Sequence, residues 1–204
     1  MTTATAAPPM YATVPRLWPG ETCVILGGGP SLTAADVDYC RGRAHVIAVK
    51  EAWQLAPWAD ALYACERTFW AFYKGVPDFA GRKYGLEAYP GVELLENTGA
   101  LGLELAPTGL RTGFNSGYQA MNLAVHFGSA RILLLGFDLW TGLDGRANWH
   151  DSPRFHRVSP YPVFMQAFAD VVEPLKVAGV EVLNCSRRTL LKAFPRVPLE
   201  EALA

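Results

Sequence analysis

The chain has 204 residues, half of them hydrophobic and 12% aromatic, with a formal net charge of −1. That supply of apolar side chains excludes a globally disordered protein and suits one domain of ordinary size. The near-neutral balance gives no field for tight nonspecific nucleic-acid binding, so a nucleic-acid partner is not expected.

Residues 1–20, with Pro8-Pro9, Pro15 and Pro19-Gly20, read as a flexible or loosely docked arm. They lack the basic-then-apolar layout of a secretory leader, and no run reaches the roughly 18 apolar residues a membrane span needs. A first strand is expected at 22–27. It leads into Gly27-Gly28-Gly29-Pro30-Ser31, where glycines let amide N–H groups approach an anion and Ser31 or Thr33 can cap a helix over about 33–42. The turn is neither GxxxxGKS nor GxGxxG, which argues against a P-loop ATPase and a nicotinamide dehydrogenase. As a ligand loop it would use Gly27, Gly28, Gly29, Pro30 and Ser31; the plain alternative is a tight strand-to-helix turn.

A second strand, 45–49, is followed by Lys50-Glu51, and a third, 60–65, by Glu66. Strand-end acids and bases of this kind either face a ligand crevice or form an ordinary ion pair. The aromatic stretch 66–73 reads as a helix belonging to the core. Short strands are expected near 83–88 and 92–96, then a glycine-rich loop over 99–113. Thr112-Gly113-Phe114-Asn115-Ser116-Gly117 opens a helix running to Phe127 and ended by Gly128. Asn115, Ser116 and Gly117 are candidate nucleotide contacts, although Asn115 or Ser116 serves equally as the helix cap.

The run 130–138 reads as a parallel strand buried on both faces, ending at Asp138. That carboxylate is placed to hold Mg²⁺, a ribose hydroxyl or an acceptor, or merely to cap a turn. The polar segment 148–157 carries His150 and His156, each able to act as general base near neutral pH, with Arg154 to neutralise phosphate. His45 and His126, inside predicted elements, read as structural. A helix over 162–178 ending at Gly179, a strand at 180–185, a short helix at 188–194 and a tail over 196–204 complete the chain. The four cysteines, Cys23, Cys40, Cys65 and Cys185, show no CxxC or zinc spacing and read as reduced thiols of a cytoplasmic protein.

Alternating strands and helices call for an α/β fold: one Rossmann-like domain over 21–195, with a mostly parallel sheet and helices on both faces. Right-handed crossovers gather the post-strand loops at one edge, where open α/β sheets bind ligands.

In order, GGGPSL, VIAVKEAWQLAPWADALYACE, TGFNSGYQAMNLAVHFG, RILLLGFDL, NWH and VEVLNCS resemble a phage and bacterial group related to archaeal-type 6-hydroxymethylpterin diphosphokinases. The same arrangement looks like a distant relative of bacterial sialyltransferases that use a CMP-sugar donor. The resemblance spans about 21–195. It implies a nucleotide donor, ATP or a nucleotide sugar, lying across both glycine loops. Gly27–Ser31, Asn115, Ser116 and Gly117 would line the pocket, Asp138 would lie beside it and His150 would be the base, with His156 as substitute. For a phage-encoded member the setting would be the host cytoplasm. Two positions depart from the pattern: Lys50 stands where Asn is usual, and Glu66 where Asp is usual. Lys50 adds a positive charge that would favour an anionic ligand, and Glu66 shifts the acid outward by one methylene.

The leading expectation is therefore a nucleotide-dependent transferase moving a diphosphate from ATP to a small hydroxylated acceptor, with Mg²⁺ held by Asp138 and Glu66. The alternatives are a glycosyltransferase using a CMP- or other nucleotide-sugar donor, and a noncatalytic nucleotide-binding accessory protein.

Overall fold

The computed structural model describes residues 10–142, 145–150 and 159–204. Its centre is a seven-stranded sheet, parallel throughout, in the spatial order β5-β4-β3-β2-β1-β8-β9. The strands are β1 (Thr22–Leu26), β2 (His45–Val49), β3 (Ala61–Tyr63), β4 (Arg82–Gly85), β5 (Glu93–Leu94), β8 (Arg131–Leu135) and β9 (Glu181–Asn184). A small parallel pair joins β6 (Glu96–Asn97) to β7 (Gly109–Leu110), so a strand forms inside the stretch 99–113 expected to be loop.

Strand periodicity sorts the core. Successive side chains point to opposite faces, so Cys23 and Ile25 of β1 join one apolar layer while Val24 and Leu26 join the other. The first layer is covered by α3 (Ser116–Phe127), α4 (Tyr161–Asp170) and α5 (Val172–Val177), through Tyr118, Phe127, Phe168 and Leu175. The second is covered by α1 (Ala34–Cys40) and α2 (Arg67–Phe72), through Val37, Cys40, Phe69 and Trp70. Burying both faces is what near-continuous apolar strands such as Ile132–Leu135 require. This is the Rossmann-like, single-domain architecture expected from the sequence.

Three local expectations are corrected. The helix over 162–178 is two, α4 and α5. Pro174 has no N–H to give the Asp170 carbonyl and its ring crowds that turn, so the ladder breaks at Val171. No helix forms over 188–194. Thr189 Oγ1 donates to the Phe137 carbonyl (2.7 Å) and the Leu190 amide to the Asp138 carbonyl (2.8 Å), which binds this stretch to the end of β8 instead. In the tail, α6 (Leu199–Ala202) forms, with Leu199 and Ala202 buried. The part of the N-terminal arm that is described is docked: Val14 and Trp18 are buried, and Trp18 stacks on His45 with ring centroids 4.6 Å apart.

Candidate functional site

The chain builds outward from β1 through β2 and β3 to β5, then returns to lay β8 on the other side of β1. The carboxyl ends of β1 and β8 thus form the switch point where an open α/β sheet leaves a crevice. The sequence places Gly27–Ser31 after β1 and Gly136–Asp138 after β8, so the two segments meet there.

Their contact is close. The Gly27 amide donates to the Leu135 carbonyl (2.7 Å) and the Gly29 amide to the Gly136 carbonyl (2.8 Å). Asp138, 1% exposed, accepts the Ser31 amide on Oδ2 and the Ser31 hydroxyl on Oδ1, both at 2.8 Å. Burial pushes the Asp138 carboxyl up, and the two Ser31 bonds pull it back. Most of the amide cup expected here is therefore occupied from within. Among the described residues, the Gly28 amide is the one N–H of the Gly27–Ser31 turn with no hydrogen-bond partner.

Helix α1 begins beyond this turn, capped by Thr33 rather than Ser31, and its first turn carries Asp36. Arg187, from the loop after β9, grips Asp36 with Nε and Nη2 at 2.8 and 2.7 Å. The α1 N-terminus thus already has its anion.

The second glycine loop joins the same edge. Phe137 packs between the two loops: a Cβ on Gly27 would lie 3.2 Å from its ring, and one on Gly117 only 2.6 Å. Asn115 caps α3, with Oδ1 accepting the Tyr118 amide (2.8 Å) and Nδ2 donating to the Gly113 carbonyl (2.8 Å). Ser116 is the first residue of α3.

Residues 145–150 lie over the first loop. The Trp149 amide donates to the Gly28 carbonyl (3.1 Å), and a Cβ on Gly28 would stand 3.1 Å from Asn148 Oδ1. This crossing carries His150 to the end of β2, where its Nε2 stands 3.7 Å from Oε2 of Glu51. The Glu51 side chain is buried, 4% exposed, and that of His150 is partly buried, 11% exposed; Glu51 Oε1 has no hydrogen-bond partner among the described residues. Burial pushes the Glu51 carboxyl up. Its own backbone amide and the Lys50 charge oppose that, Glu66 adds to it, and the Tyr73 hydroxyl opposes it again.

Lys50 begins a 3₁₀ turn, Lys50–Gln54, with φ +49°, and its ammonium donates to Glu66 Oε1 at 2.8 Å. Glu66 stands at the N-cap position of α2. Phe114 (φ +62°) and Leu139 (φ +51°), at this same edge, share the left-handed backbone that bulky residues avoid. Such strain clusters at ligand crevices. Cys65, beside Glu66, has its thiol pushed up to about 11 by burial, which leaves it inert as a nucleophile at neutral pH.

Several expected residues come together here: Gly27–Ser31, Asp138, Asn115–Gly117, Lys50 and His150. His156 and Arg154 lie outside the described residues. The expected Mg²⁺ pair is not assembled. Asp138 follows β8 and Glu66 follows β3, three inter-strand spacings of about 4.8 Å apart, on the order of 14 Å. Each also has a partner already, and no cluster of three or more metal-ligating side chains occurs among the described residues. The donor set does not fit one shared cation.

The strand-end position of Lys50-Glu51 points to this edge from sequence, whereas Asn148 and Trp149, inside the segment 148–157, carry no sequence signal for their own contacts with the glycine turn. A cavity of about 480 Å³ beyond β9, lined by Asp36, Ser186, Arg187, Arg196 and Glu200 among others, contains none of the expected ligand residues.

No protein-family model matches the chain, and no curated protein matches its sequence. Its fold is similar to solved glycosyltransferases. One is the MAf glycosyltransferase from Magnetospirillum magneticum AMB-1, with TM-score 0.65 and 14% identity over 93% of this chain and 36% of that one. Another is the sialyltransferase CstII from Campylobacter jejuni, in complex with a substrate analogue, cytidine-5'-monophosphate. There the TM-score is 0.56 and the identity 14%, over 87% of this chain and 84% of that one. The chain spans about a third of the length of the first enzyme. Among the described residues, no helix is long and apolar enough to cross a membrane.

Proposed function

We propose that the chain binds a nucleotide-sugar donor at the β1/β8 switch point and transfers its glycosyl group to a hydroxyl on a small acceptor. The observation that carries this reading is the crossing of Asn148-Trp149-His150 over the glycine turn, with the Trp149 amide on the Gly28 carbonyl, at the turn whose Gly28 amide has no hydrogen-bond partner among the described residues. In the step, the acceptor oxygen forms a bond to the anomeric carbon as the bond from that carbon to the donor phosphate oxygen breaks. The acceptor proton passes to His150, and the nucleotide leaves as its phosphate anion, beside the Gly28 N–H and the α3 N-terminus. Asp138, with both oxygens on Ser31, shapes the turn instead of reacting.

The likeness to two glycosyltransferases supports this donor class over ATP, as does the CMP-type analogue in one of them. Diphosphate transfer is less well supported, because its charge demands a divalent cation and Asp138 and Glu66 stand too far apart to share one. Thermal-shift titration with CMP, UDP, GDP and ATP–Mg²⁺, followed by product detection with the matching nucleotide sugar, tests the reading. A nucleotide should stabilise the protein, and His150→Ala should keep that shift while losing transfer. Stabilisation by no nucleotide overturns the reading; stabilisation without transfer from any donor supports the noncatalytic alternative.

A further inference from the structure

Phe114 sits where the backbone disfavours it and the core gains nothing from it. The turn 112–115 closes with the Asn115 amide on the Thr112 carbonyl (3.1 Å), and both of its central residues are left-handed, Gly113 at φ +49° and Phe114 at φ +62°. Turns of that kind are built from Gly, Asn or Asp, and a bulky side chain in one is strained. The neighbours enforce the conformation. A Cβ on Gly113 would run into the Tyr118 ring, the Gly113 amide is fixed on the Ala100 carbonyl (2.8 Å), and Asn115 caps α3. An aromatic ring ordinarily offsets such a cost by burying its area. Phe114 is instead 53% exposed and belongs to neither apolar layer.

This turn stands at the switch-point crevice. Gly117, three residues beyond Phe114, abuts the Phe137 ring, and the same ring abuts Gly27 of the first glycine turn. Phe114 lies directly before Asn115, the N-cap of α3, beside which the proposed reaction sets the donor phosphate. We propose that the Phe114 ring is the stacking platform for the nucleobase of the donor, so that the apolar face left open by the fold is covered by ligand. The proposal rests on the reading of the crevice as a nucleotide-sugar site. There the transferred sugar faces His150, which assigns the nucleoside end of the donor to Phe114. Every base has a π-face, so the ring supplies affinity and leaves the choice among bases to other groups.

Calorimetric titration of the full chain with CMP, UMP, GMP and AMP, and with ribose 5-phosphate as a ligand that has the phosphate but no base, tests this without requiring turnover. For the nucleotide that binds the wild type most tightly, Phe114→Asn should weaken affinity by about fivefold to a hundredfold, the range of one lost base stack. Phe114→Trp should keep it within about twofold. The melting temperature of Phe114→Asn should match that of the wild type or exceed it by up to about 4 °C, because asparagine accepts the left-handed turn. Phe114→Gly accepts it too and gives a second measure of the same loss. Unchanged nucleotide affinity in Phe114→Asn and Phe114→Gly overturns the proposal and leaves the donor site standing. An equal loss of ribose 5-phosphate binding also overturns it, since a ligand without a base has no stack to lose. Weakened nucleotide binding in the variants of a protein that transfers no sugar upholds the platform and refutes the glycosyltransferase reading alone. A wild type that binds no nucleotide overturns both.

Discussion

Asp138 holds both donors of Ser31, its amide on Oδ2 and its hydroxyl on Oδ1, across 107 residues of chain. This one carboxylate joins the loop after β1 to the loop after β8 and so fixes the shape of the crevice. Asp138→Ala leaves the part-buried Ser31 N–H and hydroxyl without acceptors. The expected cost is about 1–3 kcal/mol, read from urea unfolding at pH 7. Asp138→Asn keeps one acceptor and should cost less. Equal stability of Asp138→Ala and the wild type would mean the clamp contributes nothing.

The three glycines of the first turn are predicted to fall into two kinds. A Cβ on Gly27 would lie 2.6 Å from the Gly136 carbonyl oxygen, and one on Gly29 would lie 2.3 Å from Asp138 Oδ1 and 2.6 Å from that same carbonyl. Backbone cannot yield cheaply, so Gly27→Ala and Gly29→Ala should each lose about 1–3 kcal/mol in thermal or urea unfolding. Gly28→Ala meets only the Asn148 side chain, at 3.1 Å. It should leave stability within about 1 kcal/mol while weakening nucleotide binding in a thermal-shift titration. Equal losses at all three positions would contradict the distinction.

The difference between those glycines also marks how far the sequence could be read. Strands β1, β2 and β8 were legible because apolar runs such as Ile132–Leu135 fit only a sheet buried on both faces. Helix α3 was legible because Asn115 and Gly128 mark its ends with side-chain and backbone chemistry that needs no tertiary help. The site was legible only as loops at one edge. Whether an amide in Gly27–Ser31 is open depends on Gly136 and Asp138, more than a hundred residues away, and no local pattern encodes that pairing. Glu51 reads from sequence as a strand-end acid, and its burial opposite His150, about a hundred residues away, has no local signal. The segment 188–194 has helical spacing, but its bonds to the end of β8 override that propensity.

Lys50 offers a test of backbone strain against charge. Its φ of +49° is a conformation that asparagine adopts more readily than lysine. Lys50→Asn relieves the strain but removes a half-exposed ion pair with Glu66, of the sort worth about 0–1 kcal/mol. The two effects oppose each other, so urea unfolding should show a change within about 0.5 kcal/mol. Lys50→Val, β-branched at the same φ, should be destabilised by more than 1 kcal/mol. A large loss in Lys50→Asn would show that the ion pair outweighs the strain.

The Asp36–Arg187 fork ties α1 to the loop after β9 and makes stability depend on pH in a defined direction. Burial pushes the Asp36 carboxyl up, but the hydrogen bonds from Arg187 and Thr33 outweigh burial and hold it below its ordinary value. A carboxyl depressed in the folded state contributes stability that is fully present above its unfolded pKa of about 3.9, and that contribution is lost as pH falls through the lower folded value. Arg187→Ala removes two charge-assisted bonds from a carboxylate that is 5% exposed and should cost about 1.5–3 kcal/mol at pH 7. Arg187→Lys cannot reproduce the two-pronged geometry and should recover only part of the loss. The gap in unfolding free energy between wild type and Arg187→Ala should stay constant from pH 7 to about 5 and narrow below pH 4, because protonated Asp36 no longer rewards the guanidinium. A gap that held constant down to pH 2, in a variant that remained folded, would assign the Arg187 contribution to packing of its side chain instead of to the ion pair.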